Sequence, residues 1–174
     1  MLGEGLREGK CGAVRCFVAK DKEGACRNIA LHLVQRMEEH RASGAERPFV
    51  LGLATGSTPI PIYRELARLH KEGKVSFKGV ISINLDEYSP IQPEDENSYH
   101  RFMNENFFQF VDFAADSNFL PDGTLKEDQI ASHCEEYEAR IKQYGIDIQL
   151  LGIGRSGHIG FNEPGSSRVR FSAT

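Results

Sequence analysis

Short apolar runs alternate with stretches of helical periodicity along this chain, and that alternation leaves few folds open. Val14 to Val18 reads as a short first strand. A helix follows from Asp21, a suitable N-cap, with Ala25, Ile29, Ala30, Leu33, Val34 and Met37 in register and Gly44 as its stop. Phe49 to Ala54 is a buried-type strand that runs into Thr55-Gly-Ser-Thr58. Pro59 suits the first helical position, and Ile60, Tyr63, Leu66 and Ala67 share one face of the helix after it. Val80 to Leu85 is the next strand and ends in Asp86-Glu87-Tyr88. Pro90 and Pro93 keep the following segment irregular, and the pattern then predicts a helix over Tyr99 to Phe108. Another helix carries Ile130, Cys134, Tyr137, Ile141 and Tyr144 and stops at Gly145. The strand-forming run Ile146 to Ile153 then breaks into a glycine-rich loop. Such connections cross over right-handed, so the expected architecture is α/β: a Rossmann-like open parallel sheet with helices on both faces. No repeat or interdomain linker interrupts the pattern, and residues 1–174 read as a single domain.

Composition narrows the function classes. A formal net charge of -4 argues against nucleic acid as the main partner, although Arg168 and Arg170 form a local basic cluster suited to a small anion. No apolar run approaches membrane-spanning length, and the first ten residues lack the apolar stretch of a secretory signal. Cys11, Cys16, Cys26 and Cys134 show no paired spacing, which fits free thiols and a cytoplasmic location. His100, His133 and His158 lie far apart with no ligand spacing, so no metal site is expected.

Three strand ends carry the chemistry, and open α/β sheets build their sites at that edge. In Thr55-Gly56-Ser57-Thr58, glycine admits a close backbone approach and the helix start offers free N–H groups, an arrangement suited to a phosphate monoester. Neither GxxxxGK[ST] nor GxGxxG is present, and an ordinary helix cap explains the turn equally well. Asp86 and Glu87 read either as solvated capping acids or as the source of a base for proton abstraction beside a carbonyl. Side chains alternate along a strand, so only one of the two faces a shared cavity. In Gly154 to Pro164, His158 either makes loop hydrogen bonds or, with Glu163 folded onto its ring, transfers protons near neutral pH.

Together these residues resemble the glucosamine-6-phosphate deaminase family. The matching segments are Pro48 to Pro59, Val75 to Lys78, Asn84 to Tyr88, Ser98-Tyr99 with Phe102-Met103 and Asn106 to Phe108, and Gly157 to Pro164. Phosphogluconolactonases share the fold but match less well at Asp86-Glu87-Tyr88 and at Phe161 to Pro164. The resemblance implies conversion of glucosamine 6-phosphate to fructose 6-phosphate and ammonia, with no cofactor and no metal. It implies that Thr55, Gly56, Ser57 and Thr58 hold the sugar's phosphate and that Asp86 moves the C2 proton. It further implies that His158, backed by Glu163, opens the ring, with Glu87, Tyr88 and Ser156 in support. Many deaminases carry an acid where this chain has Ser156. Family members also continue beyond the histidine loop, so the match is to the N-terminal portion of the fold, and many of them are homo-oligomers. The alternatives are an inactive shortened deaminase, a non-catalytic sugar-phosphate-binding domain, and a lactonase-like hydrolase.

Overall fold

The computed structural model of the chain describes residues 6–166. Arg168 and Arg170 lie outside the described residues. The elements are β1 (Arg7–Cys11), β2 (Val14–Val18), α1 (Lys22–Ala42), β3 (Phe49–Leu53), α2 (Ile60–Lys71) and β4 (Val80–Asn84). They continue with α3 (Tyr99–Asn106), a 3-10 turn (Phe108–Phe110), β5 (Asn118–Phe119), α4 (Glu127–Tyr144) and β6 (Ile148–Gln149).

Four strands form a parallel sheet in the order β5-β4-β3-β6. The two central strands show why the sheet is layered. Phe49, Leu51 and Leu53 point to one face, where they pack with Cys26, Ala30, Leu33 and Met37 of α1, Tyr63 and Leu66 of α2, and Met103 of α3. Val50 and Ile83 point to the other, against Tyr137, Ile141 and Tyr144 of α4. The expected arrangement with helices on both faces is the one observed. Asp21 caps α1 by accepting from the Gly24 N–H at 2.7 Å, and Gly44 follows the C-cap with φ +71°.

Several sequence expectations need correction. Val14–Val18 is a strand, but it pairs antiparallel with β1 in a separate hairpin and contributes nothing to the parallel sheet. Its residues are largely exposed, so no core face exists for it to join. The run Ile146 to Ile153 is not one long strand: only Ile148 and Gln149 pair with β3, extended by the Asp147 and Leu150 N–H bonds to Val50 and Gly52 carbonyls. Beyond Leu150 the chain leaves the sheet, and Ile153 is 79% exposed. The helix at Tyr99 ends at Asn106, where Phe107 adopts φ -147° and turns inward to stack on Tyr63 at 4.9 Å. In α2, Ile62 and Leu69 join Tyr63 and Leu66 on the buried face, whereas Ile60 and Ala67 are half-buried. Pro59 occupies the capping position itself, one residue before the place expected for it.

The topology locates the site. From β3 the chain steps to β4 and β5 on one side, then returns to place β6 on the other. The switch point lies between β3 and β6, and ligands of open α/β sheets bind in that crevice at the carboxyl ends of the strands.

Candidate active site

The turn after β3 is built around Gly56, whose φ of +98° is accessible to glycine. The capping residue of α2 is Pro59, which has no side-chain acceptor, and no side-chain cap bond forms. The ordinary-cap reading of Ser57 and Thr58 therefore loses its basis, and the first turn of α2 faces an exposed Gly56-Ser57-Thr58 segment.

Just past the end of β4 the two adjacent acids have different neighbours. Glu87 faces the start of α3, with 1% of its side chain exposed. It accepts from the Tyr88 and Tyr99 N–H groups at Oε1, both at 2.9 Å, and from Ser98 Oγ, the His100 N–H and His100 Nδ1 at Oε2. Burial alone drives its carboxyl upward, but the donors from Tyr99, His100 and Tyr88 outweigh burial and hold it below the ordinary glutamate range. Asp86 has the opposite environment. Burial, reinforced by the neighbouring Glu87 charge, pushes its pKa up to about 6. A buried carboxylate raised toward neutrality, with no cationic partner among the described residues, is poised to take a proton.

The loop after β6 closes over Asp86. A Cβ placed on Gly160, which has φ +59°, stands 3.1 Å from Asp86 Oδ2, so the carboxylate lies against the histidine loop. Aromatic contacts make a second connection. Phe161 of this loop packs 5.2 Å from Tyr88 and 6.0 Å from Tyr99, and the two tyrosines are 4.9 Å apart. The Tyr99 phenol is raised above the ordinary range, by burial first and then by the neighbouring Tyr88, with Thr55 of the first turn acting against it. All three strand ends are thus tied to one another. Tyr99 and Phe161 are the residues that do it, and sequence reasoning assigned neither a role; the aromatic residues within the family-like segments were the available signal.

His158 sits within this loop with Nδ1 2.9 Å from Glu163 Oε1 and 2.8 Å from Ser156 Oγ. Ser156 Oγ in turn lies 2.7 Å from Glu163 Oε2. The Gly154 N–H donates to the His158 carbonyl at 2.9 Å, folding the loop so that the imidazole occupies the space a Cβ on Gly154 would fill. Gly154→Ala is therefore expected to displace the ring while leaving the sheet and helices in place. If the imidazole acts on a bound ligand, any activity should fall about a hundredfold with an unchanged far-UV spectrum, since an ångström of misplacement suffices for such a loss. Wild-type turnover in this variant would show that the ring's seat over Gly154 is unimportant.

The fold is an open α/β sheet whose topological switch point lies between β3 and β6, and the adjoining strand ends carry a helix-terminal turn, a raised carboxylate and a carboxylate-backed imidazole. A profile of the family described as glucosamine-6-phosphate isomerases/6-phosphogluconolactonase matches residues 20–166. The chain belongs to that family. It is 53% identical to a glucosamine-6-phosphate deaminase of Bacillus velezensis over 118 residues, covering 67% of this chain and 48% of the relative. It is 44% identical to the Serratia proteamaculans glucosamine-6-phosphate deaminase over 155 residues, covering 88% of this chain and 57% of the relative. Among solved structures, a monomeric glucosamine-6-phosphate deaminase superposes with a TM-score of 0.78 at 41% identity, over 86% of this chain and 59% of that one. A Plasmodium vivax 6-phosphogluconolactonase reaches 0.74 at 24% identity, over 90% and 53% respectively, a likeness of fold. The chain spans about half the length of the curated relatives it matches.

Proposed function

We propose that this chain is the N-terminal portion of a glucosamine-6-phosphate deaminase, working as one sugar-phosphate isomerase/deaminase domain without metal or organic cofactor. The observation that carries the reading is Asp86, raised to about 6 and lying against Gly160 of the histidine loop. Thr55, Gly56, Ser57 and Thr58 hold the phosphate, whose binding energy keeps C2 of the sugar against the base. His158, with Glu163 behind it, moves a proton from the anomeric hydroxyl to the ring oxygen and opens the pyranose. Asp86 takes the proton from C2, the electron pair forms the C1–C2 double bond while the C1 carbonyl oxygen takes a proton from the 2-ammonium group, and the proton on Asp86 returns at C1. C2 is left as an imine, water adds there, and ammonia departs. Tyr88 and Tyr99 shape the cavity, and Glu87 holds its frame.

Ammonia release from glucosamine 6-phosphate tests this, measured on the chain and on a version extended to its relatives' length. Release by the extended protein is the expected result. Sugar-phosphate binding without turnover in both would favour the non-catalytic binding domain, and hydrolysis of 6-phosphogluconolactone without ammonia would favour a lactonase. No helix among the described residues is long and apolar enough to cross a membrane. A cytoplasmic location and a homo-oligomeric state belong to the same proposal. Support for self-association is the edge position of β6 together with exposed Leu151 and Ile153. Sedimentation of a single monomeric species at micromolar concentration would count against it.

A further inference from the structure

We propose that Ser156 is a positioning residue that locks the neutral His158 ring in its Nδ1–H tautomer, leaving the Nε2 lone pair for the substrate. This deepens the deaminase reading and rests on it for its catalytic consequence, though the tautomer itself does not.

The argument is a count of protons. Glu163, as a carboxylate, only accepts. Ser156 Oγ stands 2.7 Å from Glu163 Oε2, so the hydroxyl's single proton is given to Glu163. The same Oγ is 2.8 Å from His158 Nδ1, and with its proton already committed it accepts there. Nδ1 must then carry hydrogen. The 2.9 Å separation between Nδ1 and Glu163 Oε1 imposes the same requirement independently. The three groups close a ring of contacts in which the Nδ1–H is shared between a hydroxyl and a carboxylate, and Glu163 is held at both oxygens. Among the described residues both polar contacts of the imidazole are on Nδ1, and the opposite edge lies over Gly154.

This arrangement excludes a tempting alternative. A serine, a histidine and an acid within hydrogen-bond reach suggest an acyl-transfer triad, in which the serine faces Nε2 and the acid faces Nδ1. Here both lie on Nδ1, so the imidazole has no free nitrogen directed at Ser156 to accept its proton. Ser156 orients the ring; it does not attack. Glu163 is 59% exposed and Ser156 is exposed, so without the hydroxyl one carboxylate on a glycine-rich loop would have to hold the ring alone.

The test is nitrogen NMR of the labelled imidazole at about pH 9, above the ordinary histidine range, on wild-type chain, Ser156→Ala and Ser156→Thr. Wild type and Ser156→Thr are expected to show Nδ1 protonated and Nε2 bare, whereas Ser156→Ala shows a mixture of tautomers. In the extended protein, kcat should fall about tenfold in Ser156→Ala at unchanged KM and recover in Ser156→Thr. A wild-type ring protonated at Nε2, or the same pure tautomer in Ser156→Ala, overturns the proposal. Absence of ammonia release with the NMR pattern as expected would sink the deaminase reading alone.

Discussion

Asp86→Asn is expected to lower kcat for glucosamine 6-phosphate about a thousandfold in the extended protein, with KM little changed, because the amide cannot take the C2 proton. The turn proposed to hold the phosphate, Thr55 to Thr58, is untouched by this change. The raised Asp86 carboxyl makes the reaction pH-dependent. Asp86 works as a base only when ionised, so turnover should drop as pH falls below about 6. The same carboxylate opposes folding once ionised. Its native pKa is raised, so its contribution to stability is fully present below the ordinary aspartate range and is lost as pH rises through about 6. The asparagine variant has no such titration. It should match wild type in acid and exceed it above about pH 6, by about 1 kcal/mol once solvent screening of a half-buried group is allowed for. Urea denaturation at two pH values measures this. An Asp86→Asn protein that keeps its turnover would remove the base from the proposal; one that is less stable than wild type at pH 8 would remove the strained carboxylate.

The large elements were readable because their residues obey the period of the structure they form. Val80–Asn84 is largely buried on both faces, Val80 packing on one side and Ile81 and Ile83 on the other, because helices cover both faces of the sheet. Ile141 and Tyr144 fall in helical register because α4 buries a single stripe. The strands that escaped detection lack such a signal. β1 has the sequence Arg-Glu-Gly-Lys-Cys and is exposed at every position, so neither face carries a pattern. β5 is a pair, Asn118 and Phe119, recognisable only through its bonds to Ser82 and Ile83 across the sheet. The site was legible in part for the same reason. Alternation along a strand predicts that Asp86 and Glu87 diverge, and they do. Which of them is raised depends on α3 arriving with its N–H groups beside Glu87, a contact between residues 11 to 13 positions apart that no local spacing encodes. Ser156 was noted as a departure from the family's usual acid, but its bond to Glu163 is a property of the folded loop.

Glu87→Ala should be the most destabilising single change at the site, at a cost of about 3 kcal/mol. The carboxylate is buried and accepts from three backbone N–H groups, one hydroxyl and one imidazole. Truncation leaves part-buried donors at Tyr99 and His100 without a charged acceptor, and each unsatisfied group costs about 1 kcal/mol or more. It also removes a negative charge from the start of α3, where the helix dipole favours one. Glu87→Gln separates these effects. It keeps the shape and one carbonyl acceptor but turns an NH2 toward the remaining donors, so a loss of about 2 kcal/mol is expected. Protonating the native carboxylate acts in the same direction as these substitutions. Because its native pKa is lowered, this stabilisation is present above the ordinary glutamate range and disappears as pH falls through the lowered value. Wild type and Glu87→Gln should therefore converge in stability in acid. The loss would reach the proposed chemistry as well, because α3 begins at Tyr99, which packs on Tyr88 and stacks on Phe161. If Glu87→Ala unfolds at the wild-type urea midpoint, the buried carboxylate is not what joins α3 to the turn bearing Asp86, and the site must be held by its aromatic contacts alone.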